Sequence, residues 1–202
     1  MMQNNIIRIM VVAGVIAFFI SCSPKMITEK YYLENEVVLD KIEESYKELY
    51  PQKHFNIAFA NKGFNIVSVE IITDSLRYIY EFNVNEPRLT DTLNKYNLNA
   101  KKINELIWQM QSIRCIWINN FDYYMDEKKN SLIFMSIKPI ALKALFSSQK
   151  YYILTYFSQP QHFDSEGRLL DKRELRKLQK INGEIFMRIN DKVCYTVSGT
   201  FR

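Results

Sequence analysis

The chain has 202 residues, 48% of them hydrophobic, and a formal net charge of +5. That length and apolar content suit one domain with a sizeable core, and the excess charge is spread along the chain, which excludes the clustered basic face of a nucleic-acid binder. The 13 Tyr and 13 Phe against 5 Gly and 5 Pro point to strands with few long loops.

The first stretch reads as an address. Arg8 is the only charged side chain ahead of an apolar run at residues 9–20. The run falls short of the roughly 20 residues of a bilayer-spanning helix and suits the apolar core of a secretory signal. It ends Phe19-Ile20-Ser21-Cys22. With the small Ser21 directly before Cys22, and with Phe19 where leucine is usual, this stretch resembles the lipobox of bacterial lipoproteins. The resemblance implies that residues 1–21 are a signal peptide and that Cys22 becomes the lipid-attachment residue. Cys22 would then carry diacylglycerol on its sulfur and a further acyl chain, such as palmitate, on the new amino terminus. One acyl chain binds a membrane only marginally, at about 0.8 kcal/mol per buried methylene, so stable anchoring takes two or more. Ser23 stands where an aspartate can retain such proteins at the inner membrane, and no acidic run follows the cysteine. The resemblance therefore implies a cell-envelope protein anchored in the outer membrane and facing the periplasm. It does not extend past Cys22.

Residues 22–30 read as a polar tether, and residues 31–202 as the folded domain. Val38, Ile42, Tyr46 and Leu49 recur at three and four with charged residues between them, predicting a helix over 31–50 that Pro51 ends. Residues 54–60, 64–72 and 76–84 read as a three-strand meander, with Gly63 supplying a positive φ at the first turn. In its third strand Leu76, Tyr78, Tyr80, Phe82 and Val84 share a face, and Arg77, Glu81 and Asn83 share the other, as in a half-buried antiparallel strand. A short helical turn is expected over 89–96. Asn99 then caps a helix, Leu98 and Ile103 hold the staple positions, and Ile103, Leu106, Ile107, Met110 and Ile113 make the stripe that lies on the sheet.

Residues 114–125 and 132–137 read as a hairpin, 140–148 as ambiguous, 151–157 as an aromatic strand and 158–168 as a long loop. Asp171 and Glu174 form an aspartate version of the capping box that opens a helix to about Lys180. Its inner side would be Leu175, Leu178 and Ile181, and its outer side a solvated stripe of Arg173, Arg176, Lys177 and Lys180. The chain closes with a hairpin. A three-residue turn, Asn190-Asp191-Lys192, pairs Ile189 with Val193 and Met187 with Tyr195, which keeps Ile185, Met187, Ile189, Val193, Tyr195 and Val197 on one apolar face. Cys194, Thr196, Ser198 and Thr200 fall on the more polar one. These elements predict a single α+β domain, an antiparallel sheet of about seven or eight strands with two or three helices packed on it.

Catalytic motifs are missing. His54 and His162, the two histidines, have no Cys or carboxylate at metal spacing, and neither a Gly-rich phosphate loop nor a G-x-S-x-G elbow occurs. No metal, cofactor or catalytic residue is assigned. With Cys22 acylated, Cys115 and Cys194 remain as disulfide candidates in an oxidising compartment, and the alternative is two independent thiols packed as small hydrophobes. The reading is a membrane-anchored envelope lipoprotein that acts as a non-catalytic binding or interaction module. It would take a protein or glycan partner through its sheet or the 158–168 loop. The alternative is a periplasmic thiol-dependent or hydrolytic enzyme using Cys194, whose pKa Arg188 would lower across the hairpin, or Asp122 in the cluster with Asp126, Tyr123 and Tyr124.

Overall fold

The structure, a computed structural model, describes residues 24–125, 128–139 and 150–199. The signal peptide, Cys22, Asp126, Thr200 and the ambiguous 140–148 segment lie outside the described residues. By its internal contacts the chain divides into residues 1–34 and 35–202. The described part of the first unit is wholly helical, the opening turns of α1 (Pro24–Leu49). Residues 24–30, read as tether, are therefore helix. Pro24 is no breaker here, because a proline in the first turn gives up an N–H that has no intrahelical partner anyway. The Thr28 hydroxyl donates to the Pro24 carbonyl at 2.7 Å, and Lys25–Glu29 and Lys30–Glu34 pair one turn apart. No described helix is long and apolar enough to cross a membrane.

Residues 35–202 form the α+β domain. It contains the rest of α1, the helices α2 (Pro87–Lys95) and α3 (Ala100–Ser112), and the strands β1 (Phe55–Phe59), β2 (Ile66–Ile72), β3 (Arg77–Asn83), β4 (Trp117–Met125), β5 (Lys128–Pro139), β6 (Tyr151–Phe157), β7 (Lys180–Ile181), β8 (Glu184–Ile185), β9 (Met187–Arg188) and β10 (Val193–Ser198). Eight strands make one antiparallel sheet in the order β3-β2-β1-β4-β5-β6-β10-β9, and β7 and β8 pair separately.

One face of the sheet is the helix face. Phe55, Ile57 and Phe59 stand opposite Ile71, Val69 and Val67, and all six are buried. Leu39, Ile42, Tyr46 and Leu49 of α1, Leu89 and Leu93 of α2, and Ile103, Leu106, Ile107 and Met110 of α3 are buried as well. Tyr46 packs edge-on against Phe55 with ring centroids 5.2 Å apart. Asn99 caps α3 by accepting from the Lys102 N–H. Both α2 and α3 end in a left-handed residue, Asn97 and Arg114, whose successors donate back to Leu93 and Met110, the bond that closes a Schellman turn. At the first meander turn the positive φ falls on Phe64, not Gly63, because the Asn61 side chain accepts from Asn65 and Ile66 and sets the bend one residue later.

The C-terminal third departs most from the sequence pattern. The predicted 171–181 helix does not form. Asp171 does accept from the N–H groups of Arg173 and Glu174, but the chain then turns back so that Leu170 bridges Leu178. Leu175 is left 54% exposed. A cap satisfies only the first turn, and a short helix needs a buried face to persist. Here Asn182-Gly183 supplies a competing nucleus. Both residues take positive φ, 50° and 82°, in the manner of a type I′ hairpin turn, and they close β7 onto β8. A Cβ at Gly183 would meet nothing within 4 Å, so only backbone strain opposes one. Gly183→Ala is expected to cost about 1–2 kcal/mol, measured as a lower denaturation midpoint.

The last hairpin has the register read from its sequence. Tyr195 pairs with Met187, Cys194 with Arg188, and the Ile189 N–H donates to the Val193 carbonyl. The burial of its faces differs from expectation. Cys194, Thr196 and Ser198 are buried along with Val193 and Tyr195, while Ile185 is 38% exposed and Phe186 takes the inward place. The reason is that the supposedly polar face of β10 is roofed by the 163–186 segment. Leu169, Ile181 and Phe186 share one core cluster with Trp117, Leu132, Phe134, Ile153, Phe157 and Cys194.

Candidate functional site

That roof covers only half of its face. Reading across the sheet, Glu81 stands opposite Ser68, Ser68 opposite Ala58, Ala58 opposite Trp117, Trp117 opposite Ser136, Ser136 opposite Ile153 and Ile153 opposite Thr196. Along this row exposure falls from an exposed Glu81 through half-buried Ser68 and Ala58 to Trp117 at 3% and Ser136 at 0%. The open half, over β1 to β4, is a cleft of about 590 Å³, within the range of small-molecule sites. Its floor carries Asn56, Ser68 and Glu70, with Arg77 and Ile79 of the edge strand β3 along one side and Trp117, Asn119 and Phe121 along the other. Asn182, at the tip of the β7–β8 hairpin, also lines it.

A chain of hydrogen bonds fixes the floor. The Tyr46 hydroxyl, fully buried at the end of the helix face, lies 2.7 Å from the Phe55 carbonyl and 3.1 Å from Asn56 Oδ1. Asn56 Nδ2 donates to Glu70 Oε2 at 2.7 Å, and Arg77 Nη1 reaches Glu70 Oε1 at 3.4 Å. Glu70 is thus held in one orientation before anything binds. Burial pushes the Tyr46 phenol well above its ordinary value, with Tyr50 adding to the shift, so it remains a neutral donor. Farther along, Asn120 Nδ2 donates to Asp122 Oδ1 at 2.7 Å and Ser131 donates to Asn120.

Of the residues singled out in the sequence, Asp122 lines this cleft. Its proposed companions Asp126, Tyr123 and Tyr124 have no described side chains. Cys115 and Cys194 are not brought together: both are free and buried. Cys115 precedes β4, and β5 and β6 lie between β4 and β10. Three strand spacings amount to about 14 Å, twice the Cα separation a disulfide tolerates. Arg188 does stand opposite Cys194 and pulls its pKa down. Burial acts more strongly and leaves the thiol pushed up to about 12, so it is no nucleophile at neutral pH.

The 158–168 loop is a closed turn. Asp164 accepts from the N–H groups of Glu166 and Arg168 and from Arg168 Nε, and these bonds hold its carboxyl below the usual range. His54 stacks on Tyr50, centroids 4.6 Å apart, and His162 lies in that turn. Among the described residues no three His, Cys, Asp or Glu side chains gather as a metal site.

Sequence reasoning missed Glu70, Asn56 and the 180–185 hairpin. Asn182-Gly183 was the available signal for the hairpin. For the cleft it was the run of polar residues on one face of β1 and β2, which marks a face without apolar cover. Comparison with protein-family models, characterised proteins and solved structures finds no match to this chain.

Proposed function

We propose that this chain is a cell-envelope lipoprotein, anchored through Cys22, whose domain is a non-catalytic module that binds its ligand in the sheet cleft. The observation that carries the binding reading is the half-open face with its pre-oriented Glu70. Side chains fixed before binding lose little freedom when a ligand arrives, and affinity gains accordingly. The closed 158–168 turn leaves the sheet as the better candidate of the two surfaces.

Two measurements test this. The protein purified from the membranes of its own host should have the mass of residues 22–202 plus diacylglycerol and an acyl chain. A full-length mass overturns the anchor. In the same host, Glu70→Gln should be anchored and folded yet reproduce the defect of a deletion, and normal function of that variant overturns the cleft as the site. A hydrolytic enzyme working through Asp122 is the second reading, favoured by the place of that carboxylate on the cleft. It expects Asp122→Asn to bind as tightly as the parent and to lose turnover.

A further inference from the structure

We propose that the cleft binds a neutral oligosaccharide, and that the Trp117 indole N–H forms the closed end of that site. The inference rests on the cleft being the binding site and names its ligand. Trp117 stands where the open half of the face meets the covered half. It is 3% exposed, lines the cleft, and its Nε1–H has no hydrogen-bond partner among the described residues. A buried polar group left unpaired costs roughly 1–3 kcal/mol, so one at the end of a cleft favours a ligand that brings an acceptor to it.

The charges then decide which ligand. Glu70, Glu81 and Asp122 on the cleft are acidic, and Arg77, the one cation among the described lining residues, is bonded to Glu70. An anionic ligand would satisfy Trp117 but meet like charge. An ammonium group would suit the carboxylates but brings three donors and no acceptor, leaving the indole N–H unpaired. A peptide strand is read by backbone bonds at a sheet edge, whereas this floor is a sheet face whose backbone is already paired. A neutral sugar meets every condition. Its hydroxyls both donate and accept, and the carboxamides of Asn56, Asn119 and Asn182 on the cleft do likewise. Phe121, 37% exposed, offers an apolar ring beside them.

The test uses the full chain in a detergent without a sugar headgroup. A Trp108→Phe background leaves Trp117 as the sole tryptophan, since the chain has 2. Titrants are neutral oligomers of β-1,4-glucose, α-1,4-glucose and β-1,4-N-acetylglucosamine, the anionic galacturonate oligomer, and a neutral peptide of similar size. At least one neutral oligosaccharide should saturably change Trp117 emission, with the galacturonate oligomer about tenfold weaker or worse. By calorimetry, Trp117→Phe should weaken that binding about tenfold at a temperature where circular dichroism shows the variant fully folded. Binding of none of the neutral sugars, equal binding of the galacturonate oligomer or the peptide, or unchanged affinity in Trp117→Phe overturns the inference. If no sugar binds while Glu70→Gln still reproduces the deletion defect, the cleft remains the site and only its ligand class falls.

Discussion

Phe134→Ala is expected to destabilise the protein by about 3–5 kcal/mol, the range for truncating a buried aromatic ring. A chain of this size would lose roughly 6–20 °C of melting temperature with it. Phe134 sits mid-strand on β5 and is 1% exposed. Its ring lies 6.1 Å from Phe121 on the cleft side and 6.4 Å from Phe186 on the roof side. It therefore joins the two halves of the sheet face. The cavity left by truncation would open beneath Phe186, the residue that holds the 163–186 segment down, and the cleft wall would lose its support. Phe134→Leu keeps most of the volume and should cost less than about 1.5 kcal/mol. Chemical denaturation of the two variants beside the parent checks the difference. Equal stability of Phe134→Ala and parent would mean that the roof does not depend on this contact.

What could be read from the sequence follows a physical division. Elements specified by near neighbours were legible: the Asn99 cap and apolar stripe of α3, the alternation of β3, and the β9–β10 register, which one choice of turn length settles. Elements decided by distant partners were not. Asp171 makes its local cap, yet the segment is claimed by Leu169 and Ile181 packing against Trp117 and Ile153, and residues so far apart carry no shared period. The cleft was hidden for the same reason. An alternating strand shows that one of its faces is buried, but β1 and β10 lie in one sheet with their second faces open and covered respectively, and the roof is a segment that looked helical. The composition of β6, buried at every position from Tyr151 to Phe157, did signal a strand covered on both sides. On the corresponding faces, the polar Asn56 beside the small Ala58 and the pair Ser68 and Glu70 signalled the open end.

Alkaline pH should unfold this protein through its buried thiols and phenol. The two thiols are buried with pKa values pushed up to about 12 by that burial, from an ordinary 9.0, and the Tyr46 phenol is raised well above 10.0 for the same reason. A raised folded-state pKa in an acid that is neutral in the core stabilises the fold in full below the unfolded pKa. That contribution is lost as pH rises toward the folded value. Between about pH 9 and 12 the unfolded chain therefore gives up protons that the native state keeps, and each such group lowers stability by about 1.4 kcal/mol per pH unit. Against a total of about 5–15 kcal/mol, losses of that slope matter, and the two thiols and the phenol all pull in the same direction. The urea midpoint should be flat from pH 7 to 8.5 and fall steeply above it, and Cys115→Ala and Cys194→Ala should each make the fall shallower. Alkylation mapped by mass offers an independent check: at pH 8 both thiols should react slowly in the native protein and rapidly in urea. A midpoint that holds to pH 11, or native Cys194 alkylated at the rate of an exposed thiol, would place that sulfur outside the core and restore it as a candidate nucleophile beside Arg188.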